Sequence, residues 1–337
     1  MLKIGINGYG RIGRNVHRML INNKKVKIVA INSRSSAQMR AHLLKYDSLH
    51  GKINSQIEVK NDLIVVNGEE IKNLKIKDPI DIPWKECGVD VVLEATGQAK
   101  TSDIASQHLA QGGVKKVLVS APMKDNTPTF VFGVNEEKIT SDLKVMSNAS
   151  CTTNCIAPIL KILDENFTLQ NAFVTSIHSF TSSQNLLDNS SHDLRRARSA
   201  VQSVIPTTTG SIKATGKILP NLAGKIDGLA FRVPIATSSV CDLRLVFAEK
   251  TSVEELNNLI KQKSQKENLS KIIDVCSEEL VSIDFKTNTK SCILDTLSTK
   301  VIDGKFAQIL LWYDNEWGYA ARIVDFLELL AEKNINT

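Results

Sequence analysis

The stretch "INGYGRIG", residues 6–13, decides the fold of the N-terminal half of the chain. It follows the apolar run "KIGIN", which is typical of a buried strand, and it opens a segment with helical spacing, 11–22. Gly8, Gly10 and Gly13 have the spacing of a turn in which the backbone approaches a pyrophosphate at a helix N-terminus. A plain glycine turn is the alternative, but strand, glycines and helix in this order predict a dinucleotide site.

Alternating strands and helices extend this pattern to about residue 150. Further buried parallel strands are predicted at 26–32, 89–96, 115–121 and 143–147, with a helix at 101–111. The predicted fold class is therefore α/β, with a doubly wound Rossmann sheet that forms a dinucleotide-binding domain over residues 1–150.

The pattern changes after residue 150. A helix at 151–166 leads into long alternating runs at 172–180, 228–247, 280–285 and 306–314, with another helix at 252–265. These runs predict a second, α+β domain with an antiparallel sheet over residues 151–315. The last segment, 316–337, has apolar residues at helical spacing, and we expect its helix to return to the first domain.

Length and composition exclude several classes of protein. A chain of 337 residues is expected to form two domains, and 42% hydrophobic with 23% charged residues is typical of a globular protein. The formal charge of +6 favours small anionic ligands as much as nucleic acid. Aromatic residues make up only 5% and no nucleic-acid motif occurs, so nucleic acid is expected as a second ligand at most.

Without a signal peptide or an apolar run of about 20 residues, the sequence predicts a cytoplasmic protein with no membrane association.

The segment "SNASCTTNC", residues 147–155, places Cys151 among small polar residues at a predicted helix start. Three common N-cap residues precede it: Ser147, Asn148 and Ser150. A helix N-terminus lowers the pKa of a cysteine thiol, so the sequence predicts a reactive thiolate. Cys155 follows one helical turn later, which leaves a redox-sensing thiol pair as an alternative. No Cys-x-x-Cys pair occurs, and no metal site is predicted.

A general base and an anion site are predicted in the same half of the chain. His178, in "TSIHSFT", lies among hydroxyl residues near a predicted strand end and is the candidate base for Cys151. The segments "DLRRARSA", "IPTTTGS" and "FRVP" supply arginines, threonine hydroxyls and a glycine amide, which together are typical of phosphate binding. A solvated basic surface is the alternative for the arginines.

The second predicted strand ends in "AINSRSS", where a Rossmann domain that binds NAD usually has an acid. Ser33 occupies that position and Arg34 follows. Loss of the carboxylate removes repulsion against a ribose 2′-phosphate, and serine and arginine can both bond it. The sequence therefore predicts NADP or dual cofactor use, and the alternative is NAD held by weaker ribose contacts.

Six motifs together resemble phosphorylating glyceraldehyde-3-phosphate dehydrogenase: "INGYGRIGR", "SNASCTTNC", "DLRRAR", "PTTTG", "RVP" and "WYDNEWGY". They run in order from residue 1 to about 330 with no large insertion. The resemblance implies a homotetramer of subunits with a Rossmann and a catalytic domain. It also implies that Cys151 attacks the aldehyde of glyceraldehyde 3-phosphate and that His178 takes the hydroxyl proton. Hydride then passes to NAD or NADP, and inorganic phosphate cleaves the thioester to 1,3-bisphosphoglycerate, a reversible step of glycolysis and gluconeogenesis.

The resemblance also implies the binding residues. Those for the cofactor are Asn7, Gly8, Gly10, Arg11, Ile12, Gly13, Ser33, Arg34, Thr96, Gly97, Ser120, Asn189, Ser190 and Asn315. Those for the substrate phosphate are Thr181 and Arg232, and those for the attacking phosphate are Ser150, Thr152, Arg196, Thr209 and Gly210. Asn315 matches the asparagine that orients the nicotinamide carboxamide.

Three departures from the family pattern concern ligand choice. Many members read "TGDQ" where this chain reads "TSSQ", so Ser183 replaces an acid beside the substrate phosphate. Ser33 is the second departure. The third is "DNSS", residues 188–191, in place of the "D-L-P" of members specific for NAD; Asn189 and Ser190 again favour NADP.

Erythrose-4-phosphate dehydrogenase, a relative that hydrolyses its thioester, is the alternative function. Its relatives lack the "TTTG" of the attacking-phosphate site, and this chain keeps "PTTTG". The sequence therefore favours phosphate as the acyl acceptor.

Overall fold

A computed structural model describes residues 1–333. The last four positions of the segment 316–337, for which a helix is predicted, lie outside the described residues. The chain divides into two compact units. The first unit comprises Met1–Phe130, Glu137–Ala149 and the chain from Ala320 onward, and the second comprises Val131–Glu136 and Ser150–Tyr319.

The first unit is built on a sheet of eight strands. Its elements in chain order are β1 (Leu2–Asn7), α1 (Arg11–Leu20), β2 (Val26–Asn32), α2 (Ala37–Lys45), β3 (Tyr46–Asp47), β4 (Gly51–Lys52), β5 (Ile57–Lys60), β6 (Leu63–Val66), β7 (Glu69–Leu74), β8 (Val91–Glu94), α3 (Ser102–Ser106), β9 (Lys116–Val119) and β10 (Val145–Ser147). The order across the sheet is β10-β9-β8-β1-β2-β7-β6-β5, and β3 pairs separately with β4. The strands from β10 to β7 run parallel to their neighbours, which confirms the doubly wound α/β class.

Two features of the first unit differ from the sequence prediction. The strands β5, β6 and β7 form an antiparallel extension of the sheet that the sequence analysis did not predict. The helix expected at 101–111 is shorter, because α3 ends at Ser106 and the chain continues as a 3₁₀ turn to Leu109.

A buried tyrosine–histidine pair lies on α1 and the turn before it. The Tyr9 hydroxyl lies 2.6 Å from His17 Nδ1, and both side chains are buried. Burial lowers the pKa of His17 from 6.5 to about 3, because the imidazolium loses its hydration there. The folded state therefore holds this imidazole neutral.

We expect this histidine to make folding stability depend on pH. Its folded pKa lies below the unfolded value, so its contribution is complete above pH 6.5 and is lost as the pH falls towards 3. The expected slope is about 1.4 kcal/mol per pH unit, or about 2 kcal/mol between pH 6.5 and 5. Urea unfolding at both pH values measures it, with His17→Gln as the variant that cannot titrate. An equal loss of stability in wild type and variant contradicts this assignment.

The second unit has a seven-stranded mixed sheet. Its elements are α4 (Cys151–Phe167), β11 (Leu169–Ser179), β12 (Ile205–Thr207), α5 (Ser211–Ile218), β13 (Ile226–Val233), β14 (Ser239–Phe247), α6 (Val253–Ser264), α7 (Glu267–Ser270), β15 (Ile273–Cys276), β16 (Cys292–Ile302) and β17 (Phe306–Tyr313). The order across the sheet is β12-β13-β11-β14-β17-β16-β15. Apolar residues of α4 are fully buried in one core with those of β14 and β17, which fixes the N-terminal end of α4 relative to the sheet.

The structure corrects several details of the second unit. The run 280–285 is not a strand: Ser282–Phe285 is a 3₁₀ turn, and Asp284 accepts a hydrogen bond from the backbone N–H of Val281 at 2.9 Å. The run 228–247 spans most of β13 and all of β14, and the chain bends between them. The strands β15 and β16 were not predicted. The sheet is not purely antiparallel, since β11 pairs with β13 in parallel.

The last described helix, α8 (Trp317–Glu332), begins in the second unit and continues in the first. Within the first unit, Asn23 Nδ2 donates to Glu328 Oε1 at 2.6 Å, and Lys333 Nζ donates to the Ile139 carbonyl at 2.7 Å. Of the helices within residues 1–333, none combines the length and the apolar character that crossing a membrane requires.

Candidate active site

A thiol and an imidazole meet in the second unit. Cys151 is the first residue of α4 and His178 lies near the end of β11, so helix and sheet each deliver one of them. Cys151 Sγ lies 3.5 Å from His178 Nε2. The histidine is 5% exposed, whereas the cysteine is only partly buried. This arrangement suits a nucleophile beside a general base.

The pKa values of this pair correct the prediction of a thiolate. Burial raises the pKa of the Cys151 thiol, and the charge of Arg232 opposes that effect only in part. Burial and the charge of Arg232 also lower the pKa of His178 to about 3. Ser150 caps α4 as predicted, because the Thr153 N–H donates to its Oγ at 3.1 Å. Desolvation nevertheless outweighs the helix N-terminus, and the pair is a neutral thiol and a neutral imidazole.

Strand pairing brings a guanidinium to the same imidazole. His178 on β11 is the register partner of Arg232 on β13. His178 Nδ1 lies 2.7 Å from both the Ser179 carbonyl oxygen and Arg232 Nη1. When Nδ1 is protonated it donates to the carbonyl, and Nε2 is then a base that faces the sulfur. When Nδ1 is unprotonated it accepts from Arg232, and Nε2–H is then a donor that faces the sulfur.

Tyr313 adds a second link between α4 and the sheet. Its hydroxyl lies 3.1 Å from Thr152 Oγ1 and 3.3 Å from Ser176 Oγ. Cys155, one turn after the nucleophile, is fully buried in the apolar core. It is therefore a packing residue, and none of the six cysteines, all of which the structure describes, forms a disulfide.

Asn315 is held by two buried serines. Ser179 Oγ donates to Asn315 Oδ1 at 2.9 Å, and Ser239 Oγ donates to the same oxygen at 3.1 Å. With Oδ1 occupied by two donors, the amide orientation is fixed and Nδ2 is the donor of this amide. The sequence analysis missed both serines, because they reach Asn315 from strands far away in the chain.

The resemblance assigns Asn315 to the nicotinamide carboxamide, so we expect Ser239→Ala to raise the KM for the cofactor about fivefold, because one of the two bonds that orient the Asn315 amide is lost. Initial rates against cofactor concentration measure the change. Ser238→Ala is the matched control, since the buried Ser238 hydroxyl has no hydrogen-bond partner among the described residues. A KM that changes equally in both variants contradicts the role of Ser239.

Four of the seven predicted phosphate residues lie in three places in the second unit, apart from Ser150 and Thr152, which flank Cys151, and Arg232, which contacts His178. Arg196 donates to Thr207 Oγ1 from Nε at 2.9 Å and from Nη2 at 2.5 Å, so this guanidinium reaches β12. Thr209 Oγ1 lies 2.6 Å from Ser211 Oγ, and Gly210 is the N-cap of α5. Thr181 Oγ1 lies 2.8 Å from Ser183 Oγ, so two hydroxyls pair at the position where the family pattern has an acid.

The glycine turn of the first unit fits a dinucleotide. Gly8 has a φ of +94°, and a Cβ there would lie 2.6 Å from the backbone of Ala95 and Thr96. A Cβ on Gly13 would lie 2.4 Å from the Gly8 carbonyl oxygen. At Gly10, the N-cap of α1, a Cβ would meet no atom within 4 Å. Gly8 and Gly13 therefore pack closely against backbone atoms, whereas the turn leaves open space at Gly10, at the helix N-terminus. This is the place where Rossmann domains bind a pyrophosphate.

A buried carboxylate organises this turn, and the sequence analysis missed it. Glu94, the last residue of β8, accepts from Asn7 Nδ2 at 2.6 Å and from the Thr96 N–H at 2.8 Å. His108 Nε2 lies 3.1 Å from the same carboxylate. Burial alone raises the pKa of Glu94, but these bonds outweigh it and hold the pKa below its usual range. The sequence contains one sign of this role, because Glu94 is an acidic residue at the end of a strand that is otherwise apolar.

The other predicted cofactor residues are placed as follows. On α1, Arg11 pairs with the Asp47 carboxylate and Ile12 is half-buried. Gly97 has a φ of +70°. Ser120 Oγ donates to the Glu94 carbonyl at 3.1 Å. Ser33 is half-buried just after β2, and Arg34 is exposed beside it. Asn189 and Ser190 are exposed on a loop of the second unit, and the Ser190 N–H donates to Asn189 Oδ1 at 2.8 Å.

A Rossmann unit with a dinucleotide turn and a second unit with a thiol–imidazole pair define the class, a nicotinamide-dependent oxidoreductase. Residues 2–102 match the family model "Glyceraldehyde 3-phosphate dehydrogenase, NAD binding domain". Residues 150–315 match the model "Glyceraldehyde 3-phosphate dehydrogenase, C-terminal domain". The chain belongs to the glyceraldehyde-3-phosphate dehydrogenase family.

Full-length relatives agree with this assignment. Glyceraldehyde-3-phosphate dehydrogenase 1 of Bacillus cereus is 46% identical over 336 residues, which cover 99% of this chain and 100% of the relative. Glyceraldehyde-3-phosphate dehydrogenase of Geobacillus stearothermophilus is 45% identical over 335 residues, 99% of each chain. That of Borreliella burgdorferi is 44% identical over 336 residues, 98% of this chain and 100% of the relative.

Proposed function

We propose that this protein oxidises D-glyceraldehyde 3-phosphate to 1,3-bisphosphoglycerate, with inorganic phosphate as the acyl acceptor. The observation that carries the proposal is the 3.5 Å distance between Cys151 Sγ and His178 Nε2. Both the family and this pair support acyl transfer through a thioester. The reaction is reversible and serves glycolysis or gluconeogenesis.

The first step is addition of the Cys151 thiol to the aldehyde carbon. An S–C bond forms, the thiol proton passes to His178 Nε2, and the carbonyl oxygen becomes the hydroxyl of a hemithioacetal by taking that proton back. The Ser179 carbonyl holds Nδ1–H, at 2.7 Å, and so keeps Nε2 unprotonated towards the sulfur. A neutral imidazole with a pKa of about 3 is available for this step throughout the neutral pH range.

The second step oxidises the hemithioacetal carbon. When bound, the nicotinamide ring of the cofactor supplies the hydride acceptor. His178 removes the hydroxyl proton as two electrons leave with the hydride, which gives a thioester on Cys151. The Nε2–H that results can donate to the thioester carbonyl oxygen and stabilise the oxyanion that forms there when phosphate attacks, and Asn315 Nδ2 would orient the carboxamide.

The third step releases the product. A phosphate oxygen attacks the thioester carbonyl, the S–C bond breaks, and the sulfur leaves as a thiolate that is protonated by His178. We assign the attacking phosphate to Ser150, Thr152, Arg196, Thr209 and Gly210, and the substrate phosphate to Thr181 and Arg232. The hydroxyl of Ser183, 2.8 Å from Thr181 Oγ1, can donate to the substrate phosphate where an acid would repel it.

We assign dinucleotide binding to residues 1–150, catalysis to 151–315 and a return helix to 316–337. NAD is the cofactor that the family supports, and we propose NADP or dual use in addition. Ser33 and Arg34 support this extension, together with the exposed Asn189 and Ser190. None of these four positions carries a carboxylate that would repel a 2′-phosphate.

We further propose a homotetramer in the cytoplasm. Several large apolar side chains of the segment 181–204 are exposed, among them Leu186 at 65%, Leu187 at 71% and Leu194 at 86%. Exposed apolar residues concentrated in one segment are typical of a protein–protein interface. A second copy of the chain is the partner we expect to cover them.

The assay that tests the proposed function follows absorbance of the reduced cofactor after glyceraldehyde 3-phosphate is added. It is run with NAD and with NADP, each with and without inorganic phosphate, and with erythrose 4-phosphate for comparison. We expect rapid turnover that requires phosphate. Phosphate-independent turnover on erythrose 4-phosphate contradicts the proposed reaction, and turnover with NAD alone contradicts only the extension to NADP.

A further inference from the structure

A buried arginine contacts the end of β2. This strand is followed by Ser33 instead of the acid that usually binds the adenosine ribose. Arg40 is in the first turn of α2 and is 1% exposed. Its Nη1 donates to the Ile31 carbonyl at 2.9 Å, and its Nη2 donates to the carbonyls of Ser33 and, at 2.7 Å, Leu74. The guanidinium therefore fastens the end of β2 to the end of β7 and to the residue at the ribose position.

The charge of Arg40 has no close counter-charge. All its hydrogen bonds go to neutral carbonyls, and within residues 1–333 no carboxylate forms a salt bridge with it, while its buried Nε has no partner. Burial lowers the pKa of Arg40 to about 10, so it stays charged at neutral pH. Asp62 acts on this charge from a distance, but Asp62 pairs with Lys75 Nζ at 3.7 Å. A buried charge without a paired charge lowers stability, so stability alone does not explain it.

The charge of Arg40 lies near the dinucleotide turn. The Gly8 N–H of the dinucleotide turn donates to the Asn32 carbonyl at 2.9 Å, so the glycine turn adjoins the strand end that Arg40 fastens. The loop after that strand end, residues 33–36, carries three serine hydroxyls, and Ser36 caps α2 by accepting from the Met39 N–H at 3.2 Å. The three serines, the N-terminus of α2 and the buried cation thus all lie within residues 33–40, just after β2, where Rossmann domains bind the adenosine ribose.

We propose that Arg40 is a specificity-determining residue whose buried charge favours a dinucleotide with a phosphate on the ribose 2′-oxygen. It acts through Ser33, which it positions, and through its field, which is strong because water is excluded around it. The inference rests on the proposed dinucleotide binding and deepens it. With Ser33 in place of an acid, no carboxylate repels the 2′-phosphate at this position. The charge of Arg40 in addition attracts that phosphate.

Isothermal titration calorimetry of the full chain with NAD and with NADP tests the inference without any turnover. Arg40→Met keeps the length of the side chain and removes its charge. We expect it to raise the Kd for NADP about tenfold and to leave the Kd for NAD nearly unchanged. Arg40→Lys keeps the charge and is expected to retain most of the affinity for NADP.

Arg18→Met is the matched control. Arg18 is also a buried guanidinium that donates to backbone carbonyls, those of Leu44 and Gly51, away from the end of β2. We expect its loss to leave the ratio of the two Kd values unchanged. If Arg40→Met does not fold, Arg40→Gln replaces it, because the amide can keep a bond to a carbonyl without carrying a charge.

The outcomes separate this inference from the proposed function. Equal changes of both Kd values in the Arg40 variants, or a ratio that does not move, overturn the role of Arg40 while NAD binding stands. A wild-type protein that binds NAD but no NADP overturns it as well. A wild-type protein that binds neither overturns the proposed function together with this inference.

Discussion

Cys151→Ser is expected to lower kcat for cofactor reduction at least about a thousandfold. A serine hydroxyl at the same place is a far weaker nucleophile than a thiol. The pKa of that hydroxyl is also far above that of a thiol, so transfer of its proton to His178 during the attack is much less favourable. Single-turnover and steady-state rates measure the effect, and titration with cofactor shows whether the variant still binds it.

The matched control for this prediction is Cys155→Ala. Cys155 lies one turn further along α4, is fully buried and belongs to the apolar core of the second unit. Its loss is expected to lower stability modestly through the cavity it leaves, while kcat stays near that of the wild type. A comparable loss of kcat in both variants would mean that the two thiols act together, as in the redox-sensing alternative.

His178→Asn is expected to lower kcat about a hundredfold to ten-thousandfold. The imidazole is the base nearest to the sulfur, at 3.5 Å, and burial raises the pKa of the Cys151 thiol, so at neutral pH the thiol needs a base that takes its proton as the S–C bond forms. In the variant, kcat should rise with pH as the thiol ionises unaided. A profile of kcat from neutral to alkaline pH measures this.

The exposed His192 supplies the control for this second prediction. His192→Asn removes an imidazole from the same unit, and its kcat should follow the profile of the wild type. The role of His178 as base is contradicted if His178→Asn loses activity by the same factor at every pH. It is equally contradicted if the loss is only a few-fold.

The features that local sequence encodes were predicted well. The glycine turn, β2 at Val26–Asn32 and the start of α4 at Cys151 all follow from spacing and capping within a few residues. The order of these elements along the chain was enough for the doubly wound class. The choice of Cys151 and His178 as partners came from residue type, and the resemblance of six motifs supported it.

The features that long-range contacts encode were missed. Glu94, Ser179 and Ser239 act on residues brought together by strand pairing, and no local pattern marks them. In the sequence, Arg40 looks like an ordinary helix residue, because only the fold brings its guanidinium to the carbonyl groups of β2 and β7. The raised pKa of Cys151 was missed for the same reason, since sequence shows the helix N-terminus but not the burial that opposes it.

Trapping an acyl group on Cys151 tests the proposed thioester directly. The protein is mixed with glyceraldehyde 3-phosphate and excess NAD without phosphate, quenched with acid and digested. We expect a burst of about one reduced cofactor per subunit and an acyl group on Cys151 within the peptide 145–161. No burst, continued turnover without phosphate, or an acyl group on Cys155 instead would contradict a thioester on Cys151 as the intermediate.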